Sequence, residues 1–113
     1  MADVDLRLLR YFIAVCEEGG FSRAARRLGM TQPALSRAVR TLEAAVGVEL
    51  VVRTAQTVEI TEAGILLLEE ARELDERALA AVERVRTASR APRARTTSAT
   101  LMTSPEASFS RFA

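Results

Sequence analysis

The stretch that decides the fold runs from Met30 to Gly47 and reads MTQPALSRAVRTLEAAVG. Its larger apolar residues recur at the spacing of one helix face, and they are Leu35, Val39, Leu42 and Val46. Thr31 is a favourable N-cap, and Gly47 can end a helix in the left-handed conformation. We therefore expect a helix over residues 32–46 that packs one face on a core.

The other side of this helix carries short polar groups and arginines, because each residue advances about 100° around the axis. The residues on or beside it are Gln32, Pro33, Ser36, Arg37 and Arg40. The Gln32 amide can pair with adenine, and the Arg37 guanidinium can bind guanine O6 and N7 in a major groove. An ordinary solvated helix face has the same composition, so the residues alone leave both interpretations open.

A second, shorter helix is predicted just before this one, over residues 22–28. Ser22 can cap it, and Phe21 is placed to act as a hydrophobic staple. Gly29 follows at the stop position. Two helices joined by a tight turn that contains glycine form a helix-turn-helix.

With these motifs in place, the chain resembles the LysR-type transcriptional regulators. The resemblance rests on matching residues in order along the chain: Leu6, Arg7, Leu9, Arg10, Tyr11, Phe12; Phe21, Ser22, Ala24, Ala25, Leu28; Thr31 to Arg37; Leu42, Glu43, Gly47; and Thr61 to Gly64. It implies a winged helix-turn-helix that binds double-stranded DNA as a dimer. It also implies that Gln32, Pro33, Ser36 and Arg37 face the bases.

The predicted fold class is mainly α, with three helices and a short β-hairpin wing followed by a long dimerisation helix. We expect residues 4–61 to form the DNA-binding domain, residues 62–90 the linker helix and residues 91–113 a disordered tail. Pro92 stops the last helix, and no periodicity survives after it.

The first helix is expected from a cap at Asp5 to about Glu18, before Gly19 and Gly20. One side of it suits a core, and its residues are Leu6, Leu9, Ile13 and Cys16. Another set could meet a second surface such as a partner chain, and its residues are Leu8, Tyr11 and Val15. A core thiol is favoured over a redox sensor for Cys16.

Two short β-branched runs, 48–53 and 58–61, predict the strands of the wing. The expected tip, residues 54–57, lacks glycine and asparagine, and it has fewer cations than wings of the resembled family. Arg53 remains near it, and Gln56 could hydrogen-bond in a minor groove. Other predicted DNA contacts, through phosphates, are Ser22, Arg23, Arg27 and Arg40. For the three arginines the alternative is an intramolecular ion pair or a free surface charge.

Thr61 can cap the long helix, whose apolar residues follow a heptad spacing. The predicted dimer interface consists of Leu67, Ala71, Leu74, Ala78, Ala81 and Val85. A helix that packs within its own chain could show the same pattern. Ile65 and Leu68 lie off this seam and could anchor the helix to the winged body.

Composition excludes several classes of function. The net charge is only +1, yet residues 20–53 carry a marked excess of arginine, which suits nucleic acid. One cysteine and no histidine predict no disulfide, no metal site and no cofactor, and they disfavour an enzyme. No apolar run is long enough for a bilayer, so we expect a cytoplasmic, nucleoid-associated protein without a membrane partner.

The segment after residue 90 shows no pattern like the start of the effector-binding domain that follows in the resembled family. The sequence therefore predicts a truncated or frameshifted regulator, or a free-standing DNA-binding fragment, with no effector site. One functional hypothesis is a sequence-specific, homodimeric transcriptional regulator. The alternative is an interaction protein whose helix 62–90 forms mixed dimers with full-length regulators.

Overall fold

A computed structural model describes residues 4–54 and 57–90 of the chain. The elements follow in the order α1 (Leu6–Glu18), α2 (Phe21–Leu28), α3 (Gln32–Val46), β1 (Val51–Arg53), β2 (Val58–Ile60) and α4 (Glu62–Arg90). The predicted contact at Gln56 and the predicted disordered tail, 91–113, lie outside the described residues. This mainly helical architecture with a two-stranded hairpin confirms the predicted fold class.

Local capping chemistry sets the ends of three helices where the sequence predicts them. The Asp5 carboxylate accepts a hydrogen bond from the Leu8 N–H at 2.8 Å, and the Thr31 hydroxyl accepts one from Ala34 N–H at 3.2 Å. Thr61 Oγ1 accepts one from Gly64 N–H at 3.0 Å. Each side chain satisfies an amide that the first turn leaves without a partner.

The start of α2 differs from the prediction. The helix begins at Phe21 with Gly20 as its N-cap, and no side chain makes a capping bond there. Ser22 is therefore inside the first turn, so its predicted role as the cap is wrong. Phe21 itself is buried in the core.

The core lies between α1, α2, α3 and the wing. Its fully buried large residues are Phe12, Val15, Leu35, Val39, Leu42, Leu50 and Val51. Leu8 is buried as well, and Tyr11 packs partly against this core. Of the residues predicted to meet a second surface such as a partner chain, Leu8 and Val15 are covered by the chain's own core. Val46 is 40% exposed, so it does not complete the apolar stripe of α3.

The wing is an antiparallel pair with Val51 opposite Ile60, Val52 opposite Glu59 and Arg53 opposite Val58. β1 begins three residues later than predicted, at Val51. The Leu50 N–H, which would extend the ladder, donates instead to the Glu43 carboxylate at 2.8 Å. The Leu50 carbonyl still accepts a hydrogen bond from Thr61 N–H at 3.0 Å, so the side chain of α3 replaces only the partner of the Leu50 amide.

Helix α4 packs along its first half. The first compact unit of the chain extends to Arg77 and the second begins at Ala78. Ala71 is fully buried, and Leu67 and Leu68 pack partly against the core. The burial of Ala71 corrects its assignment to a dimer seam, because no surface is left for a partner. Ile65 is 50% exposed and does not anchor the helix, unlike Leu68.

Gly64 allows α4 to approach the wing closely. A Cβ atom at this position would lie 2.2 Å from the Leu50 carbonyl oxygen and 2.7 Å from a methyl carbon of Ile60. Over residues 4–54 and 57–90, no helix combines the length and apolar composition needed to cross a bilayer.

Candidate DNA-binding surface

The polar side of α3 is available to solvent. Gln32, Pro33, Arg37 and Arg40 are exposed and Ser36 is half-buried, whereas Leu35 and Leu42 on the other side have no exposed surface. Pro33 lies in the first turn, where a missing N–H costs no helical hydrogen bond. The buried side fixes the helix, so the exposed side can contact a ligand without disturbing the core.

A cleft of about 510 Å³ brings several predicted site residues together at the N-terminal ends of α2 and α3 and the base of the wing. Ser22, Arg23, Gln32, Ser36 and Arg53 all line it. Three separate parts of the sequence thus converge on one surface. Hydroxyl, amide and guanidinium groups in such a cleft can donate hydrogen bonds to phosphates or base edges.

Arg37 lies on a different groove, between α1 and α3, together with Arg7, Tyr11, Ala38 and Thr41. Among the described residues Arg37 makes no ion pair, and its backbone carbonyl accepts a hydrogen bond from Thr41 Oγ1 at 3.1 Å. Arg23 and Arg40 also have no ion pair within the described ranges and are exposed. All three guanidinium groups therefore keep their hydrogen-bond donors for another molecule.

Arg27 has intramolecular partners instead. Its Nη1 lies 3.0 Å from Glu17 Oε1 and 3.2 Å from Glu18 Oε2. Arg72 of α4 also reaches Glu17, at 3.1 Å, and Arg10 reaches Asp75 at 2.6 Å. The hydrogen bond from Arg27 lowers the pKa of Glu17, and Arg72 lowers it further. A paired Arg27 is a weaker candidate for a phosphate contact than Arg23 or Arg40.

Arg53 is held within the protein as well. Its Nη1 lies 3.5 Å from Glu43 Oε1, and its Nη2 donates to the Ser36 carbonyl at 3.5 Å. The guanidinium carbon lies 4.9 Å from the centre of the Phe21 ring, within the range of a cation–π contact. Only 23% of its side chain is exposed.

Sequence reasoning gave no role to Glu43, which proves to organise this region. Its carboxylate accepts hydrogen bonds from Leu50 N–H at 2.8 Å and from Val51 N–H at 3.2 Å, and it also faces Arg53. The available signal was a carboxylate directly after a core leucine, where a partly buried charged group needs partners.

The wing closes through threonine hydroxyls where the sequence lacks glycine. Thr54 N–H donates to the Thr57 carbonyl at 2.9 Å, and Thr57 N–H donates to Thr54 Oγ1 at 2.9 Å. Threonine side chains can bond turn amides in this way.

Cys16 is half-buried beside the core. Burial raises the pKa of its thiol from 9.0 to about 11. The thiol is therefore protonated at neutral pH, which favours the packing role over a redox role because the thiolate is the reactive form.

Comparison with known proteins decides the family. Residues 6–65 match the family described as bacterial regulatory helix-turn-helix protein, lysR family. The chain belongs to this family. The matched region begins at the first residue of α1 and ends in the first turn of α4, so it contains the whole candidate surface.

Individual relatives agree with this assignment. The chain is 51% identical over 70 residues to the HTH-type transcriptional regulator XapR of Escherichia coli, covering 62% of this chain and 24% of XapR. It is 46% identical over 71 residues to the regulator TfdT of Cupriavidus pinatubonensis, and the match covers 63% of this chain and 31% of TfdT. The similarity thus spans 24% and 31% of the length of these two relatives.

A solved structure shares the fold. The CbnR DNA-binding domain, in a complex with DNA, matches with a TM-score of 0.74 and 42% identity, covering 76% of this chain and 99% of that one. The LysR-family winged helix-turn-helix predicted from the motifs is therefore confirmed.

Proposed function

We propose that the chain binds duplex DNA at specific sequences and acts in transcriptional regulation. The observation that carries the proposal is the exposed polar side of α3, which holds Gln32 and Arg37 on a helix whose other side buries Leu35, Val39 and Leu42. The DNA complex of the related CbnR domain supports it. So do the printed names of XapR and TfdT, which describe transcriptional regulators.

Within this proposal the residues have two kinds of role. Gln32, Pro33, Ser36 and Arg37 face base edges, where amide, hydroxyl and guanidinium groups distinguish base pairs. Ser22, Arg23 and Arg40 bind phosphates, which fixes the position of α3 on the duplex without selecting a sequence. Arg27 contributes less, because Glu17 and Glu18 already neutralise it.

The test is an anisotropy titration of the chain with a duplex selected from a random pool and with an unrelated duplex. We expect tighter binding to the selected duplex and a strong decrease with salt, since each neutralised phosphate adds about 0.9 to the slope of log affinity against log salt. Equal affinity for both duplexes, or a flat salt response, would contradict the proposal.

We further propose that the chain forms a homodimer through α4. Leu74 and Val85 are 52% and 68% exposed, and Val82 exposes apolar surface as well. Ala81 is exposed, and Ala78 and Leu67 are half-buried, so five of the six predicted seam residues keep exposed surface and only Ala71 does not. Mixed dimers with full-length relatives would use the same surface and stay a prediction.

We also infer that the chain is not an enzyme and that it acts at chromosomal DNA in the cytoplasm. The support comes from the transcriptional regulators to which the chain is similar. In the part of the chain that the structure describes, no three acidic, cysteine or histidine side chains lie together as metal ligands would. Transcriptional regulation by DNA binding alone requires no such metal site.

A further inference from the structure

We propose that Arg53 is a positioning residue for DNA recognition: it fixes α3 and the wing relative to each other and does not bind a phosphate. This inference rests on the proposed DNA binding and deepens it. It also reverses the role that the sequence suggested, because an arginine near a wing is expected to contact the duplex. The reversal follows from what the guanidinium already contacts.

The contacts of Arg53 join three elements. The residue belongs to β1, its Nη2 donates to the Ser36 carbonyl of α3 at 3.5 Å, and its guanidinium lies over the Phe21 ring of α2 at 4.9 Å. Its Nη1 faces the Glu43 carboxylate at 3.5 Å. Both N–O distances are long for hydrogen bonds, so the combination of contacts, and not one strong bond, holds the group.

Arg53 is more buried than Arg23 and Arg40, the arginines proposed to bind phosphate. Its side chain is 23% exposed, and its Nε is buried without a hydrogen-bond partner among the described residues. An unpaired buried donor is costly, so the fold retains it only because the remaining contacts of the side chain offset the cost. Moving the guanidinium out to a phosphate would break those contacts and leave the 13%-exposed Glu43 carboxylate without its cation.

Arg53 affects base recognition because it holds the backbone of α3 in place. Ser36 and the next residue, Arg37, are both proposed to face bases, and Arg53 bonds the carbonyl between them. Without this contact the first half of α3 can shift relative to the wing. Contacts to base edges depend on such shifts more than contacts to phosphates do, because only base contacts require one register and orientation.

The decisive variant is Arg53→Lys, measured by the same titration on the selected and the unrelated duplex. Lysine keeps the charge but cannot bond Glu43 and Ser36 together or stack flat on Phe21. We expect affinity for the selected duplex to fall roughly 5- to 30-fold, affinity for the unrelated duplex to change less than about twofold, and the salt slopes to stay as in the wild type. Arg53→Lys binding the selected duplex like wild type would overturn the proposal.

Arg53→Gln and Arg40→Gln are compared in the slope of log affinity against log salt, because each removes one positive charge. Arg40 is exposed on α3, so its loss should lower the slope by about 0.9, whereas loss of Arg53 should leave the slope unchanged. A drop of this size for Arg53→Gln on both duplexes would identify a phosphate contact and refute the inference. Titrations are run well below the melting temperature of each variant, where a role in stability alone does not change the ratio of the two affinities.

A double-mutant cycle tests whether Arg53 acts through Glu43. Arg53→Gln and Glu43→Gln should be non-additive in their effect on the selected duplex, because the two side chains belong to one network. Additive losses would contradict positioning through Glu43. If the wild-type chain binds no duplex, the proposed function fails and this inference fails with it; if wild type binds and Arg53→Lys is unaffected, only this inference fails.

Discussion

At the scale of single residues, the surroundings of each arginine decide what it is free to do. Arg37 is exposed on α3 and forms no ion pair with any described residue, whereas Arg53 on β1 is enclosed by Phe21, Ser36 and Glu43. Sequence alone assigned both to DNA. The difference lies in tertiary contacts between residues up to 32 positions apart, which no local pattern encodes.

Arg37→Ala should reduce specificity without unfolding the protein. Loss of a bidentate contact to guanine should cost about 1 to 3 kcal/mol on the selected duplex and less on unrelated DNA. The fold should be little affected, because the side chain is exposed and the core side of α3 is unchanged. Anisotropy titrations on both duplexes, with a melting curve, measure the two effects separately.

Arg84→Ala is the matched control for this change. It removes the same charge from an exposed position of α4 for which the described residues offer no ion pair. It should leave the ratio of the two affinities unaltered. If Arg37→Ala weakens both duplexes equally, Arg37 contacts phosphate, and Gln32 becomes the main candidate for base recognition.

At the scale of elements, capping rules predicted where three of the helices begin. Tertiary contacts account for the start of β1 and for the burial of Ala71, which the sequence did not predict. Asp5, Thr31 and Thr61 each bond an amide within three residues, so the sequence contains the whole interaction. The start of β1 depends on Glu43, seven residues before Leu50. The burial of Ala71 depends on how α4 packs, which a heptad pattern does not distinguish from pairing with another chain.

Gly64→Ala should destabilise the protein although alanine favours helices. The propensity gain of up to about 1 kcal/mol is smaller than the clash of a Cβ placed 2.2 Å from the Leu50 carbonyl oxygen. We expect a net loss of about 1 to 3 kcal/mol in the free energy of unfolding, measured by urea denaturation.

Gly20→Ala provides the comparison. Nothing lies within 4 Å of a Cβ built at Gly20, and its φ of 175° is extended backbone. The cost should be below about 1 kcal/mol, the loss of a glycine N-cap. Equal destabilisation by the two substitutions would show that close packing at Gly64 is not the cause.

The ion pairs of Glu17 with Arg27 and Arg72 should make stability sensitive to acid. Arg27 and Arg72 lower the pKa of Glu17 from its ordinary 4.5, so the folded state favours the charged carboxylate. The resulting stabilisation is fully present above pH 4.5 and is lost as the pH falls through the lower value of the folded state. Glu17→Gln should therefore lower the melting temperature slightly at pH 7, and by progressively less as the pH falls below 4.5.

Salt and a second variant check this interpretation. Both partners are exposed, so added salt should reduce the difference at pH 7. Glu76→Gln removes an exposed carboxylate of α4 that has no ion pair within the described residues, and its effect should not depend on pH in the same way. A Glu17→Gln difference that does not shrink as the pH falls below 4.5 would point to lost packing instead.

At the scale of the whole molecule, exposed apolar residues on α4 need an explanation. Leu74 and Val85 are predominantly exposed in the single chain. Leu74→Glu would place a charge where the proposed homodimer buries apolar surface, which is costly when the charge has no partner. The dimer dissociation constant should rise at least about tenfold, equivalent to about 1.4 kcal/mol, as measured by sedimentation equilibrium.

Ala80→Glu adds the same charge at an exposed position of α4 that points away from Leu74 and Val85 by the 100° rotation per residue. It should dimerise like the wild type. A Leu74→Glu protein that also remains a dimer would exclude this surface from the interface. The sequence could predict these exposed residues from their spacing, but only the packing of the chain showed which members of the seam remain available.

The hydrogen bonds of Glu43 have an evolutionary consequence. The carboxylate holds β1 through the main-chain amides of Leu50 and Val51, and those amides are the same whatever side chains the strand carries. Substitutions at outward positions such as Val52 can therefore accumulate while the strand stays attached to α3. Proline at position 50 or 51 is the exception, because it has no N–H to donate. The wing can diversify its surface among descendants of this chain without a compensating change in the helix that supports it.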